Sequence, residues 1–202
     1  MDIQRDLYST DVQIPQSFPK IRGLTYVPHF LDDHVQLRIL RIVEAMPWQL
    51  DLKRRVQHYG YKYDYQSRSI DRSMFVGPLP DFASEIGLRL FRDGHLPEVP
   101  DQVIVNKYKP GQGIAAHVDC VPCFGNSIVT ISLGSVYVMD FLHVETGEVK
   151  SADLELGSAL ILKDDARYFW KHRIQPRLYD SGRKRGDRIS LTFRKVVLDG
   201  ER

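Results

Sequence analysis

His117-Val118-Asp119 is the segment of this 202-residue chain whose residue types and spacing most directly offer chemistry. On a strand, positions i and i+2 point to one face, so one imidazole and one carboxylate can reach a common cation. One further imidazole completes a two-His-one-carboxylate facial triad, which leaves open positions on a non-haem Fe(II). Taken alone, so short a pattern fits a surface role at least as well. Two downstream histidines compete for the third place. His143 lies in Asp140-Phe-Leu-His-Val, just before a Glu-Thr-Gly-Glu turn, and reads as a turn or surface residue; His172 follows the apolar run Tyr168-Phe-Trp170. Trp170 itself fits either core or pocket wall. His29, His34, His58 and His95 carry no constellation. Cys120-Val-Pro-Cys123 has CxxC spacing, but zinc needs two more ligands and no second pair exists. The two cysteines read as small loop residues, with no disulfide framework.

The elements that must position these residues are legible in part. Asp32-Asp33 caps a helix through about Met46, with Val35, Ile39, Leu40 and Val43 on one face and Pro47 ending it. A second helix runs from Asp81 to about Arg92, burying Phe82, Ile86 and Leu90. Gly23-Leu-Thr-Tyr-Val-Pro28 reads as a short strand and turn, and residues 52–65 alternate with Tyr59, Tyr61, Tyr63 and Tyr65 at period two. From residue 101 short β-like runs follow one another: 102–108, 127–133, 135–141, 158–162, 168–172 and 189–197. Such spacing predicts an α+β protein with a double-sheet jelly roll and the helices on one outer face. Residues 1–20 read as an extended arm. Composition, at 43% hydrophobic and 27% charged, fits one globular domain without need of a structural metal. No apolar run approaches the ~18 residues of a membrane helix, and the polar, acidic start is unlike a secretory signal. A soluble monomer is expected in the cytoplasm, or the nucleus of a eukaryote, with no membrane partner.

Further residues turn the pattern into a signature. Asn106-Lys-Tyr108-Lys-Pro-Gly111 precedes His117 by eleven residues, and Arg188 and Arg194 stand six apart in Arg188-Ile-Ser-Leu-Thr-Phe-Arg194. Asn-x-Tyr-x-x-Gly, His-x-Asp, a distal His and two such Arg, in this order, resemble the AlkB family of Fe(II)- and 2-oxoglutarate-dependent dioxygenases. The resemblance covers about residues 20–197. Arg54-Arg-Val56…Tyr59-Gly-Tyr61 and Pro110-Gly-Gln-Gly-Ile114-x-x-His117 are most similar to the oxygenase domain of the family's tRNA-modifying homologue and to stand-alone bacterial relatives. It implies a double-stranded β-helix core over 101–197 within one domain, 21–202, and a nucleotide-recognition lid over 52–76. It implies that His117, Asp119 and His172 bind Fe(II). It implies that Arg188 with Tyr108 holds the distal carboxylate of 2-oxoglutarate, and that Arg194 with Asn106 meets the iron-chelated end. Ser190 stands where the prototype has Asn. Planar, permanently charged Arg suits bidentate carboxylate binding, and a buried dianion needs such donors. Arg188 and Arg194, an even number apart, share a strand face with Thr192, while Ile189, Leu191 and Phe193 take the other.

The activity implied is oxidative dealkylation of methyl- or etheno-modified nucleic-acid bases, with O2 as oxidant and the target base flipped or single-stranded. Arg55, Tyr59 and Tyr61 are the expected base pocket, cations meeting phosphates and aromatic faces stacking on bases. Hydroxylation of a modified wobble uridine in tRNA is the alternative, although these 202 residues contain neither the RNA-binding nor the methyltransferase domain of that homologue. A non-enzymatic nucleic-acid-binding module is a further alternative. The prototype repair enzyme carries an acidic base contact two residues beyond its metal Asp; here that position is Val121. The net charge of +2 conceals a basic stretch, 166–197, with ten basic and two acidic side chains. Those cations not consumed by 2-oxoglutarate are expected to meet a phosphate backbone.

Overall fold

The computed structural model describes residues 18–50 and 53–198. The arm expected over 1–20 lies outside them except for its last three positions. In chain order the elements are β1 (Leu24–Val27), α1 (Asp33–Ala45), β2 (Arg55–Tyr61), β3 (Phe75–Gly77), α2 (Asp81–Arg92), β4 (Gln102–Tyr108), β5 (Ile114–His117), β6 (Phe124–Leu133), β7 (Tyr137–His143), β8 (Val149–Leu154), β9 (Ala159–Leu162), α3 (Asp164–Tyr168), β10 (Trp170–Ile174), β11 (Tyr179–Asp180), β12 (Arg183–Lys184) and β13 (Arg188–Val196).

Both long helices begin where local chemistry requires. The Asp32 carboxylate accepts the Val35 N–H at 2.8 Å, satisfying one of the donors a helix start leaves free. In α2, Asp81 sits in the first turn and Arg89 and Arg92 in the last, complementing the helix dipole.

Seven strands form one antiparallel sheet in the order β1-β9-β6-β13-β4-β2-β3, and four form a second, β5-β10-β7-β8. The larger sheet is buried on both faces. Its outer face, including Val105, Ile131, Leu191 and Phe193, packs against Ile39 and Val43 of α1 and Phe82, Ile86 and Leu90 of α2. Between the sheets lies a second cluster that includes Tyr108, Tyr137, Met139, Phe141, Leu160 and Trp170. This is a jelly roll with helices over one face, and Trp170 belongs to its core.

Two strands that composition did not reveal, β5 and β8, are the edges of the smaller sheet. β8 reads Val-Lys-Ser-Ala-Asp-Leu because only alternate side chains face the core: Ala152 and Leu154 are buried, while Val149, Ser151 and Asp153 lie toward solvent. The run expected as strand over 168–172 is split: Asp164–Tyr168 is helical, and the strand begins at Trp170. None of the described helices is long and apolar enough to cross a membrane.

Candidate active site

β5 and β10 pair antiparallel with His117 directly opposite His172. Their rings lie 4.3 Å apart, centroid to centroid. Asp119 is not on the strand, as the i, i+2 argument assumed, but on the turn that follows it. That turn still brings Asp119 Oδ1 to 3.9 Å from His117 Nε2. One ligand atom from each of His117, Asp119 and His172 lies within 4.8 Å of the others, the spread of a set closing on one ion. Nδ1 of His117 lies 2.8 Å from the Ala115 carbonyl oxygen. A carbonyl only accepts, so Nδ1 carries the proton and Nε2 keeps the lone pair with which His117 would hold a metal.

The electrostatics suit the same purpose. Burial alone would raise the Asp119 carboxyl; Arg194, His172, His117 and Arg167 outweigh it and hold the group far below the ordinary carboxylate range. Burial, reinforced by His117, pushes His172 down to about 3. The carboxylate is thus ionised and His172 neutral at pH 7, the forms that ligate a divalent cation. His143 takes no part: its Nδ1 accepts the Glu145 and Thr146 N–H groups and closes its own turn.

The second group of residues comes from the central pair of strands. β13 and β4 pair with Arg188 opposite Tyr108, Ser190 opposite Asn106 and Arg194 opposite Gln102. The alternation of β13 sends Arg188, Ser190, Thr192 and Arg194 into a cavity of about 1320 Å³ that also reaches the three metal ligands. Arg194 donates to Asp119 Oδ1 at 3.0 Å and to Gln102 Oε1 at 3.3 Å. Arg188 is 1% exposed, donates to Ser132 Oγ at 2.8 Å and lies 5.6 Å from the centre of the Tyr108 ring. Among the described residues no carboxylate pairs with Arg188, and Nε of both Arg188 and Arg194 is buried without a hydrogen-bond partner. A buried guanidinium left in this state is costly unless an anion completes it. The cavity therefore fits a small dicarboxylate lying along β13, with one end near Arg188 and the other near the triad.

The expected base pocket is placed differently. Tyr59 packs on the helix side against Phe82, centroids 6.0 Å apart, and its hydroxyl donates to Gln57. Tyr61 packs against Phe75, and Arg55 is exposed outside the cavity. The residues that line the cavity here are Arg54, Tyr63, Tyr65 and Arg68, with Lys53. A bulge at Gly60/Tyr61 resets the register. It depends on Gly60, whose φ is +78° and where a Cβ would collide with the Asp101 carbonyl. Val121 is exposed and does not line the cavity.

Two findings lie outside the sequence reading. Arg167, 2% exposed, reaches from α3 to donate to the Asp119 carbonyl at 3.0 Å and the Cys120 carbonyl at 3.2 Å, so it holds the ligand-bearing turn. No spacing signals it, because it acts across 48 residues. Cys120 and Cys123, expected as small loop residues outside any disulfide framework, form a disulfide with each other. The turn brings their Cα atoms to 5.3 Å, inside the range a disulfide spans. Both pack with Ile70, Phe124 and Val196 beneath Tyr61 and Tyr63.

Much of the basic stretch 166–197 is spoken for within the fold. Arg167, Arg185, Arg188 and Arg194 are buried, while Arg173, Arg177 and Arg183 pair with Asp140, Asp180 and Asp153. Lys171 and Arg173 line the cavity from that side.

A family model for the 2OG-Fe(II) oxygenase superfamily matches residues 23–194. The chain is 35% identical over 205 residues to the tRNA (carboxymethyluridine(34)-5-O)-methyltransferase ALKBH8 of Mus musculus, covering 86% of this chain and 30% of that protein. It is 32% identical over 212 residues to the alkylated DNA repair protein ALKBH8 homolog of Arabidopsis thaliana, covering 92% and 61%. The chain thus spans under a third of the mouse relative and under two thirds of the plant one. The solved structure of OsALKBH1 has the same fold, with a TM-score of 0.66 at 21% identity over 86% of this chain and 96% of that one. This chain therefore belongs to the 2OG-Fe(II) oxygenase superfamily, dioxygenases that work with Fe(II), 2-oxoglutarate and O2, and the relatives it resembles carry AlkB-homologue names.

Proposed function

We propose that the chain oxidatively dealkylates methylated or etheno-modified bases in nucleic acid. The observation that carries this reading is the composition of the cavity mouth. The same cavity that ends at the triad is bordered by Lys53, Arg54, Arg68 and Lys171, with Tyr63 and Tyr65 among them. Cations beside aromatic rings suit a nucleotide, phosphate on the former and base on the latter. At about 1320 Å³ the cavity exceeds the ~300–1,000 Å³ of a typical small-ligand pocket, which leaves room for a base beside a five-carbon diacid. Since the triad lies in a cavity and not on the surface, the base must leave its stack or come from a single strand. The relative named for alkylated DNA repair supports the same reading.

His117, Asp119 and His172 would hold Fe(II), which when bound supplies the oxidising chemistry. Arg188 and Tyr108 would hold the distal carboxylate of 2-oxoglutarate, while Arg194, Asn106 and Ser190 line its nearer end. One oxygen atom of O2 enters succinate as 2-oxoglutarate loses CO2, and the other becomes the hydroxyl on the N-alkyl carbon. The hydroxylated carbon then leaves the base nitrogen as an aldehyde. Mass spectrometry of oligonucleotides carrying N-methyl and etheno bases, single- and double-stranded, tests this. Loss of the alkyl mass with matched succinate is expected; 2-oxoglutarate turnover over intact oligonucleotides would overturn it.

Hydroxylation of a modified wobble uridine in tRNA is the second reading, favoured by the 35% identity to a tRNA carboxymethyluridine enzyme. A gain of one oxygen on the wobble nucleoside of treated tRNA supports it, and unchanged tRNA nucleosides exclude it.

A further inference from the structure

Arg54 has a role that its place in the mouth does not by itself suggest. Its Nε donates to Asn106 Oδ1 at 2.7 Å, a short, charge-assisted bond. The guanidinium lies 5.9 Å from the Tyr108 ring centre and 6.0 Å from that of Tyr65. Its neighbour Lys53 is tied to the same region, because its carbonyl accepts from Gln112 Nε2 at 2.6 Å, on the turn that follows β4. Residues 53 and 54 are therefore strapped across the end of β4 on which Asn106 and Tyr108 sit.

The consequence concerns the Asn106 amide. A carboxamide has an accepting end and a donating end, and rotation by half a turn exchanges them. A guanidinium only donates, so Arg54 can face only Oδ1. Asn106 is 7% exposed and lines the cavity opposite Ser190, and Arg194 enters the same cavity. With Oδ1 held by Arg54, the remaining end, Nδ2, is the one available to an anion there. Flipped, the amide would turn an acceptor toward a carboxylate and repel it.

We propose that Arg54 is a positioning residue for 2-oxoglutarate: it fixes the rotamer and amide orientation of Asn106, and with them the affinity of the nearer end of the site. The proposal rests on Asn106 facing the co-substrate and is independent of which nucleic acid is the substrate.

The test is a double-mutant cycle on 2-oxoglutarate binding, measured by calorimetry with Mn(II) in place of Fe(II) so that no turnover occurs. Arg54→Ala and Asn106→Ala are each expected to weaken binding about tenfold, the scale of one lost charge-assisted bond. The double variant is expected to be no weaker than either single one, because Arg54 acts through Asn106. Mn(II) affinity should be unchanged in all of them. If the two effects multiply to about a hundredfold, Arg54 acts on the ligand directly and the proposal is wrong. It is equally wrong if Arg54→Ala binds as the wild type does. Should Arg54→Ala lose its fold, Arg54→Met keeps an aliphatic stem beside Tyr65 and Tyr108, and the same cycle with Asn106→Ala decides.

Discussion

Replacing Arg188 by Met separates what holds the fold from what holds the ligand. Burial pushes the Arg188 guanidinium down to about 10 from 12.5, which corresponds to about 3 kcal/mol of desolvation that the protein alone leaves uncompensated. Against this, the side chain makes one hydrogen bond to Ser132, worth about 1 kcal/mol. Met matches the length of the stem and needs no counter-ion. Without ligand, Arg188→Met should therefore unfold at the wild-type temperature or a few degrees above it. The ligand response should be opposite. At 2-oxoglutarate concentrations ~100 times Kd, the Mn(II)-loaded wild type gains about 2.7 kcal/mol, or about 5–10 °C for a chain of this size. The variant loses a buried carboxylate–guanidinium contact worth about 3 kcal/mol, so its affinity falls more than a hundredfold and its shift disappears. Differential scanning fluorimetry over a ligand titration reads both quantities. A variant that is more than about 5 °C less stable without ligand, yet still shifted by 2-oxoglutarate, would refute the argument.

Three further outcomes are expected. Asp119→Asn should weaken Mn(II) binding by more than the ~100-fold that loss of a supporting residue costs, and should cost about 3 kcal/mol in urea unfolding because Arg194 loses its buried carboxylate. Arg68→Ala should leave 2-oxoglutarate affinity unchanged but reduce the salt dependence of single-stranded oligonucleotide binding by about one unit of log K per log salt, as for one lost phosphate contact. Because the folded-state value of His172 lies near 3, below its unfolded value of 6.5, its contribution to stability is fully present above pH 6.5 and is lost as pH falls toward 3. Metal-free protein should lose up to about 1 kcal/mol per pH unit through that window, and His172→Gln should lack this component.

What could be read from the sequence was whatever depended on one strand or one helix turn. β13 alternates strictly, so the even spacing of Arg188, Ser190 and Arg194 predicted a shared face, and their pairing with Tyr108 and Asn106 of β4 follows from the register. α1 carried its own N-cap, and both α1 and α2 their apolar faces. The Tyr-rich strand misled because period two holds only while the strand lasts: β2 ends at Tyr61 with a bulge at Gly60/Tyr61, so Tyr63 and Tyr65 beyond it reach the cavity, while Tyr59 lies on the helix face and Tyr61 packs against Phe75. Upstream of the bulge the alternation is intact: Arg55 shares the helix-side face of Tyr59, so the cavity takes Arg54 and not Arg55. Arg167 was invisible because its partners are backbone carbonyls, which carry no sequence signature. The charge of the 166–197 stretch was real, but Asp140 and Asp180 pair with part of it at buried carboxylates and Asp153 with Arg183 at the surface.

The central claim is that one cavity joins the triad, a diacid and an alkylated base. It is tested most directly by incubating the Fe(II)-loaded protein with 2-oxoglutarate, O2 and a set of oligonucleotides bearing single N-methyl or etheno bases. Intact-mass spectrometry then follows the base while succinate is quantified. Conversion of at least one lesion to the unmodified base is predicted, with one succinate per alkyl group removed and none with His117→Ala. Every lesion surviving while succinate accumulates would contradict the account.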